Sequence, residues 1–347
     1  MMRAVALITI AGLAAAACGS AATTSAGSSS ASSTTVRLGF FSNVTHAPAL
    51  VGVAEHTFAT RLGAATTLKT FAFASGTPAV EALLAGSLDL TFVGPNPAIN
   101  AYAKTHGAVR IIAGSTSGGA FLVVKPDITD AAQLKGKKLA SPSLGNTQDV
   151  ALRAWLKSKG FTTSAEGGGD VAIIPQSNPT TLDAFKVGSI DGAWVPEPWA
   201  TRLVDEGGGK VLVDERDLWT STNRQFVTTH LLVRRPFLQQ HPDVVKAVIE
   251  GLADAIDLIA EDPTKAQADV VDQIGAITGK KPNAATIAKS FANLTFTLDP
   301  IAASLQKSAD DAVAVGLLNL VDLKGIYDLT LLNEVLRSRN LPEVKAP

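Results

Sequence analysis

The chain has 347 residues, of which 46% are hydrophobic and 18% charged, with a formal net charge of −1. Such a composition can bury a large core, exceeds one ordinary domain in length and is far from that of a disordered chain. The near-zero charge, with no basic run to meet phosphates, excludes nucleic acid as an expected partner; the single cysteine excludes a disulfide framework and a cysteine metal site.

The chain opens "MMRAVALITIAGLAAAACGS": Arg3, an apolar run from Ala4 to Ala17, then Cys18. The run is too short to span a bilayer comfortably and carries the positive flank of a secretory signal. The small residues before Cys18 resemble the lipobox of bacterial lipoproteins, although Ala15 stands where that motif usually has Leu. Residues 1–18 are therefore expected to be a lipoprotein signal peptide with Cys18 lipidated, the alternative being plain cleavage nearby. Gly19–Thr35, rich in Ser, Thr, Ala and Gly, has nothing to bury and reads as a tether. The mature body is expected outside the cell membrane, held on it by the lipid.

From Val36 short apolar strands alternate with helical periods. "VRLGFF" predicts a strand, "HAPALVGVAEHTFATRLG" a helix ended by Gly63, and "TTLKTFAF" a strand. "TPAVEALLAGSLD" predicts a helix with Thr77 at the N-cap and Pro78 in the first turn. "LTFVG", "VRIIAGS" and "AFLVVKP" predict strands; "KLASP" is a further strand, followed by the loop "SLGNTQD" and a helix ending at Gly160. "DVAIIPQS", "KVLVDE" and "TTHLLVRRP" are strands, after which the chain turns helical. The alternation predicts an α/β protein with mostly parallel sheets flanked by helices and a helical C-terminal third. The expected organisation is a first lobe over 36–121 and 229–347, with a second lobe, 122–228, inserted between.

"ALLAGSLDLTFVGPNPA" (Ala82–Ala98) and "AFKVGSIDGAWVPEPWA" (Ala184–Ala200) share six identities in seventeen positions at an offset of 102 residues, and Ser75 and Ser177 extend the match. That period is too long for a solenoid and suits two similar α/β lobes.

In open α/β sheets ligands bind beyond the carboxyl ends of strands, so the loops after strands carry the candidates. These loops, among them "FSNVTHAP", "ASGTP", "GPNP", "STSGG", "SLGNTQD", "QSNPT" and "PEPW", are rich in Ser, Thr, Asn and Gly and nearly free of charge. Several precede predicted helices, whose free N–H groups and dipole favour an anion. Ser75, Gly76, Thr77, Asn146 and Thr147 are the leading candidates, with Asn96 and Thr116 weaker; each is equally consistent with simple helix capping or packing. His46 either donates a ring N–H to a ligand oxygen or is a satisfied structural group. Glu197, between two prolines and flanked by Trp194 and Trp199, either receives an ammonium or hydroxyl group or pairs with the other lobe, and Trp194 is a candidate for the site or for the core. The five histidines show no metal spacing, so no metal or cofactor is expected. Walker, G-x-S-x-G and G-x-G-x-x-G patterns are missing, which gives catalysis little support.

The succession "SNVTHAPAL", "ASGTPAVEALLAGSLDLTFVGPNPA", "LKGKKLASPSLGNTQDVALRAWL" and "GSIDGAWVPEPWA" resembles the periplasmic solute-binding proteins of ABC importers for aliphatic sulfonates, taurine, nitrate and bicarbonate, over roughly Val36–Leu232. The resemblance implies a type II periplasmic-binding-protein fold, a monomer whose two lobes close on a small oxyanion, and an ABC permease as partner. It implies a cleft lined by Ser75, Gly76, Thr77, Asn146, Thr147 and Glu197, with Asn43, His46 and Asn96 beside them. The charged or metal-assisted pockets of nitrate and bicarbonate binders are not found in this sequence, which sets an aliphatic sulfonate ahead of those ligands. The same fold carries pyrimidine-precursor binders and enzymes, so an exported enzyme using Glu197 or His46 as acid or base is the second reading.

Overall fold

The computed structural model describes residues 34–346; the expected signal peptide, Cys18 and the tether through residue 33 lie outside the described residues. Thr34 and Thr35, expected as the end of the tether, already belong to β1 (Thr34–Phe41), where Val36, Leu38 and Phe40 alternate inward with the strand period of two. The helix expected over 46–63 is divided into α1 (Ala47–Ala54) and α2 (Thr57–Leu62) by His56, whose φ is 56°. Packing explains the break. The Phe58 ring lies so close to Gly52 that a Cβ there would stand 2.4 Å from it.

There follow β2 (Thr66–Phe73), α3 (Gly76–Leu84), β3 (Leu90–Val93) and α4 (Pro95–Thr105). The last begins inside the stretch expected as the loop "GPNP": Pro95 presets the helical φ and has no N–H to orphan in the first turn. Then come β4 (Val109–Gly118), β5 (Ala120–Val124), β6 (Lys138–Ser141), α5 (Thr147–Ser158), β7 (Ala172–Pro175), α6 (Asn178–Lys186), β8 (Gly192–Pro196), α7 (Trp199–Asp205), β9 (Lys210–Asp214) and β10 (Val227–Arg234). The C-terminal third is α8 (Arg235–Gln240), α9 (Pro242–Glu261), α10 (Pro263–Thr278), α11 (Ala284–Phe291), the short β11 (Leu294–Phe296), α12 (Leu305–Ala314) and α13 (Thr330–Ser338).

The strands form two sheets, ordered β2-β1-β3-β10-β4-β11 and β7-β6-β8-β5-β9. Each holds a parallel group, β2-β1-β3 or β7-β6-β8, and the strands beyond it run antiparallel, so the sheets are mixed. The chain passes from the first sheet to the second at Gly118–Gly119, where φ values of 82° and 68° call for residues without a Cβ. It returns between Asp214 and Val227. Helices α9, α10 and α13 cover the first sheet, burying Val248, Leu252, Val270 and Leu332 among others.

The repeat at offset 102 has a structural cause. Ser75 and Ser177 are the N-caps of α3 and α6, and β3 and β8 occupy the same place in their sheets. The shared aspartates do the same work: Asp89 accepts the backbone N–H of Arg37 at 3.0 Å, and Asp191 that of Lys138 at 2.8 Å. Each thus ties the turn before one strand to the start of its parallel neighbour, β1 or β6.

Candidate ligand-binding site

The carboxyl ends of the two parallel groups face each other, and the helices that follow point their N-termini into the space between. Ser75 and Gly76 open α3, Gly94 caps α4, Asn146 and Thr147 open α5, and Asn178 opens α6. Together with Asn43, Thr45, His46, Gln148 and Thr228 they line a small chamber of about 30 Å³. That is room for about one or two water molecules. No Lys, Arg, Asp or Glu lines it. What the chamber offers instead is a set of helix N-termini, each with unpaired N–H groups and the positive end of the peptide dipoles.

The local geometry shows which donors are uncommitted. Asn146 caps α5, accepting the Asp149 N–H at 3.0 Å through Oδ1. Behind it, Asp149 accepts from Ser141 Oγ, the Gly145 N–H and Arg153 Nε at 2.6, 2.9 and 3.0 Å, fixing the loop that presents Asn146 and Thr147. Helix α3 begins two residues earlier than expected, with Ser75 at the N-cap and no side-chain capping bond, so its hydroxyl faces the chamber unspent. His46 Nδ1 accepts the Phe41 N–H at 3.3 Å, which places the ring proton on Nε2. Burial holds the His46 pKa down to about 3, so the ring is a neutral donor.

Between pH 5.5 and 8.5 no lining group therefore changes charge, and affinity for an anion is expected to vary by less than about twofold. Titration calorimetry at five pH values checks this, and a tenfold loss above pH 6.5 would show that an imidazolium holds the ligand. For stability the sign is different. The unfolded imidazole, with its ordinary pKa near 6.5, takes up a proton that the folded one refuses, so His46 and the equally buried His230 weaken the fold as pH falls from 6.5 toward 3.

The two lobes meet around the chamber. Trp199 Nε1 donates to Asn43 Oδ1 at 2.9 Å, and Lys289 pairs with Asp205 at 2.8 Å. Thr147 Oγ1 packs against the backbone of Gly94, where a Cβ would stand 2.4 Å from it. On one side the chamber adjoins a groove of about 1010 Å³ between the lobes, with Asn43, Ala74 and Asn178 bordering both.

Of the residues singled out in the sequence, Asn43, His46, Ser75, Gly76, Asn146 and Thr147 come together at the chamber. Five do not. Thr77 lies exposed beyond the first residue of α3. Asn96, in the first turn of α4, spends its Nδ2 on the Ser308 carbonyl at 2.9 Å and ties α4 to α12. Thr116 is not in a loop: β4 runs through the expected "STSGG" turn and buries it opposite Thr229. Trp194 is in the core of the second lobe, donating to Glu215 at 2.7 Å; burial pushes that carboxyl up to about 7.

Glu197 is buried near the crossing between sheets, where it accepts from the Thr201 N–H and hydroxyl, Ser290 Oγ and Asn293 Nδ2 at 3.1, 2.9, 3.2 and 2.7 Å. Burial raises its pKa and these bonds oppose the rise. It joins the lobes, with no oxygen left for a ligand ammonium. Asn178, Gln148, Thr45 and Thr228 were not among the sequence candidates, although "QSNPT" was among the inspected loops. The 102-residue offset that pairs Asn178 with Gly76 would have found it. Among the described residues no cluster of three or more His, Cys, Asp or Glu could hold a metal, and no helix is long and apolar enough to cross a membrane.

The sequence profile of the NMT1-like family matches residues 29–275. The chain belongs to the NMT1-like family. This NMT1-like protein is 33% identical over 211 residues to the taurine-binding periplasmic protein of Escherichia coli (strain K12), covering 60% of the chain and 62% of that protein. The first curated relatives are spanned over only 62% to 66% of their length. Among solved structures, the alkanesulfonate-binding protein SsuA from Xanthomonas axonopodis pv. citri, bound to MOPS, superposes with a TM-score of 0.68 at 20% identity, covering 82% of this chain and 94% of that one. The periplasmic nitrate-binding protein NrtA from Synechocystis PCC 6803 gives 0.71 at 19% identity, over 89% and 90%. These likenesses show the fold, that of the periplasmic binding proteins.

Proposed function

We propose that this NMT1-like protein is the extracytoplasmic solute-binding component of an ABC importer, capturing a small oxyanion of the aliphatic sulfonate class between its lobes and handing it to the permease. The observation that carries the reading is the chamber without formal charge at converging helix N-termini, closed on by both lobes. Neutral N–H and O–H donors hold a weakly basic anion such as a sulfonate without leaving a buried countercharge when the ligand departs. The names of the relatives, which bind taurine, alkanesulfonates or nitrate, support the same class of ligand. Lipidation of Cys18 supplies the membrane attachment in this reading, resting on the sequence alone. Binding without conversion is part of this reading: Glu197, one of the two residues named as acid or base in the alternative reading, is spent on four donors.

A panel of short alkanesulfonates, taurine, sulfate esters and nitrate, assayed by thermal shift and calorimetry, tests this. At a hundred times the dissociation constant a true ligand adds about 2.7 kcal/mol of stability. A shift with sulfonates and recovery of the ligand unchanged after long incubation is the expected result. No shift with any member would overturn the proposal.

A further inference from the structure

Since the chamber has room for only about one or two water molecules, the carbon skeleton of an organic anion held there has to lie outside it. The doorway of Asn43, Ala74 and Asn178 leads into the groove of about 1010 Å³, large enough for a ligand of drug size. Both lobes wall this groove. The first contributes Phe73, Ile274 and Ile277, and the second Leu182, Pro198 and Trp199. Two of these residues are rings set beside the doorway: Phe73 precedes Ala74 in the chain, and Trp199 donates to Asn43 from across the cleft. The charges along the groove are mostly spent on one another or on neighbours. Arg202 pairs with Glu206 at 2.5 Å, Asp205 with Lys289 at 2.8 Å and Lys281 with Asp272 at 2.5 Å. Asp183 and Lys280, one of each sign, stand exposed at the edge. Ile277 is 37% exposed in the wall, apolar surface that a ligand body can cover.

Building on the sulfonate reading above, we infer that the groove is a second subsite that receives an apolar ring carried by the ligand. The protein then favours arylalkanesulfonates, with the sulfonate on a short alkyl chain and the ring at its far end, over short alkanesulfonates. The anionic head is held by the N–H and O–H donors of the chamber, the alkyl spacer crosses the doorway, and the ring lies between the walls of the two lobes. Covering Ile277, Leu182 and Phe73 takes apolar surface of protein and ligand out of water together, and Phe73 and Trp199 offer rings for an aromatic partner. A charged body would find Arg202, Asp205 and Lys281 already paired. Because the wall comes from both lobes, the ring's contacts are complete only when the lobes are together, so they favour the closed state.

Calorimetry with ethanesulfonate and 2-phenylethanesulfonate, ligands that differ only in the ring, tests the assignment in the wild type and in the double variant Ala72→Gln/Ile277→Ser. Both positions line the groove and are exposed, so the variant makes the wall polar without opening the core. The wild type is expected to bind the phenyl ligand about tenfold or more tightly, and each ligand should displace the other because both need the chamber. The double variant should bring the two affinities within about threefold of each other. Equal binding of the two ligands by the wild type would overturn the assignment and leave the sulfonate reading standing. Phenyl ligand that ethanesulfonate cannot displace would do the same, placing the ring elsewhere on the surface, as would an unchanged ratio in the double variant. Failure of the wild type to bind either sulfonate would overturn both.

Discussion

Replacing Gly94 with valine is expected to weaken ligand binding at least about a hundredfold, equivalent to about 2.7 kcal/mol, while the protein stays folded. Gly94 follows β3 and caps α4, and its backbone is where Thr147 of the opposite lobe comes to rest. A Cβ there would stand 2.4 Å from Thr147 Oγ1 and 3.4 Å from the Thr228 carbonyl oxygen. Its φ of −73° suits any residue, so the substitution strains no backbone and acts on the approach of the lobes. A lobe held away from its partner removes half the donors from the ligand, and the apparent affinity falls with the fraction of molecules that can still close. Calorimetry on Gly94→Val beside its melting temperature checks this. Unchanged affinity would mean that the lobes need not meet at Gly94 to hold the ligand.

Asp149→Ala is the largest expected loss of stability. Asp149 and Arg153 form a buried pair, at 0% and 2% side-chain exposure, with Arg153 also donating to the Ser164 carbonyl at 2.7 Å. Removing the carboxylate strands a buried guanidinium and frees Ser141 and Gly145 from their acceptor, at a cost of about 3–5 kcal/mol. At roughly 2 °C per kcal/mol in a chain of this size, the melting temperature should fall by about 6–10 °C. The double variant Asp149→Ala/Arg153→Met removes the stranded charge and should recover much of that loss, as scanning calorimetry would show. A double variant as unstable as the single one would place the effect in the loop rather than in the charge.

Much of the fold was legible in the sequence because it was written twice. The identities at offset 102 marked two related units, although the sequence placed the α3 cap at Thr77; the structure puts it at Ser75, the counterpart of Ser177, and gives Asp89 and Asp191 the same role of backbone acceptor. The strand-end loops likewise led to Ser75, Asn146 and Thr147, since capping residues and ligand donors are the same residue types. Glu197 and Trp194 misled because loop position and aromatic neighbours say nothing about which lobe a side chain will meet: Ser290 and Asn293, the partners of Glu197, lie 93 and 96 residues away. Thr116 sits in a turn-like "STSGG", yet pairing with β10 and β11 keeps β4 extended to Gly118, a long-range effect that local propensity cannot carry. Asn178 escaped notice because the loops were read singly, whereas the offset that pairs it with Gly76 carries the signal.

The strand order also sets a timetable for synthesis. The second sheet uses residues 120–214 alone and can be completed as soon as they leave the ribosome. The first sheet cannot, because β10 lies in its middle, between β3 and β4, and is made later. Until residues 227–234 arrive, β3 and β4 have no common neighbour, and both keep an open edge. A lobe that closes only once β10 is present stays threadable longer than one that folds as it emerges.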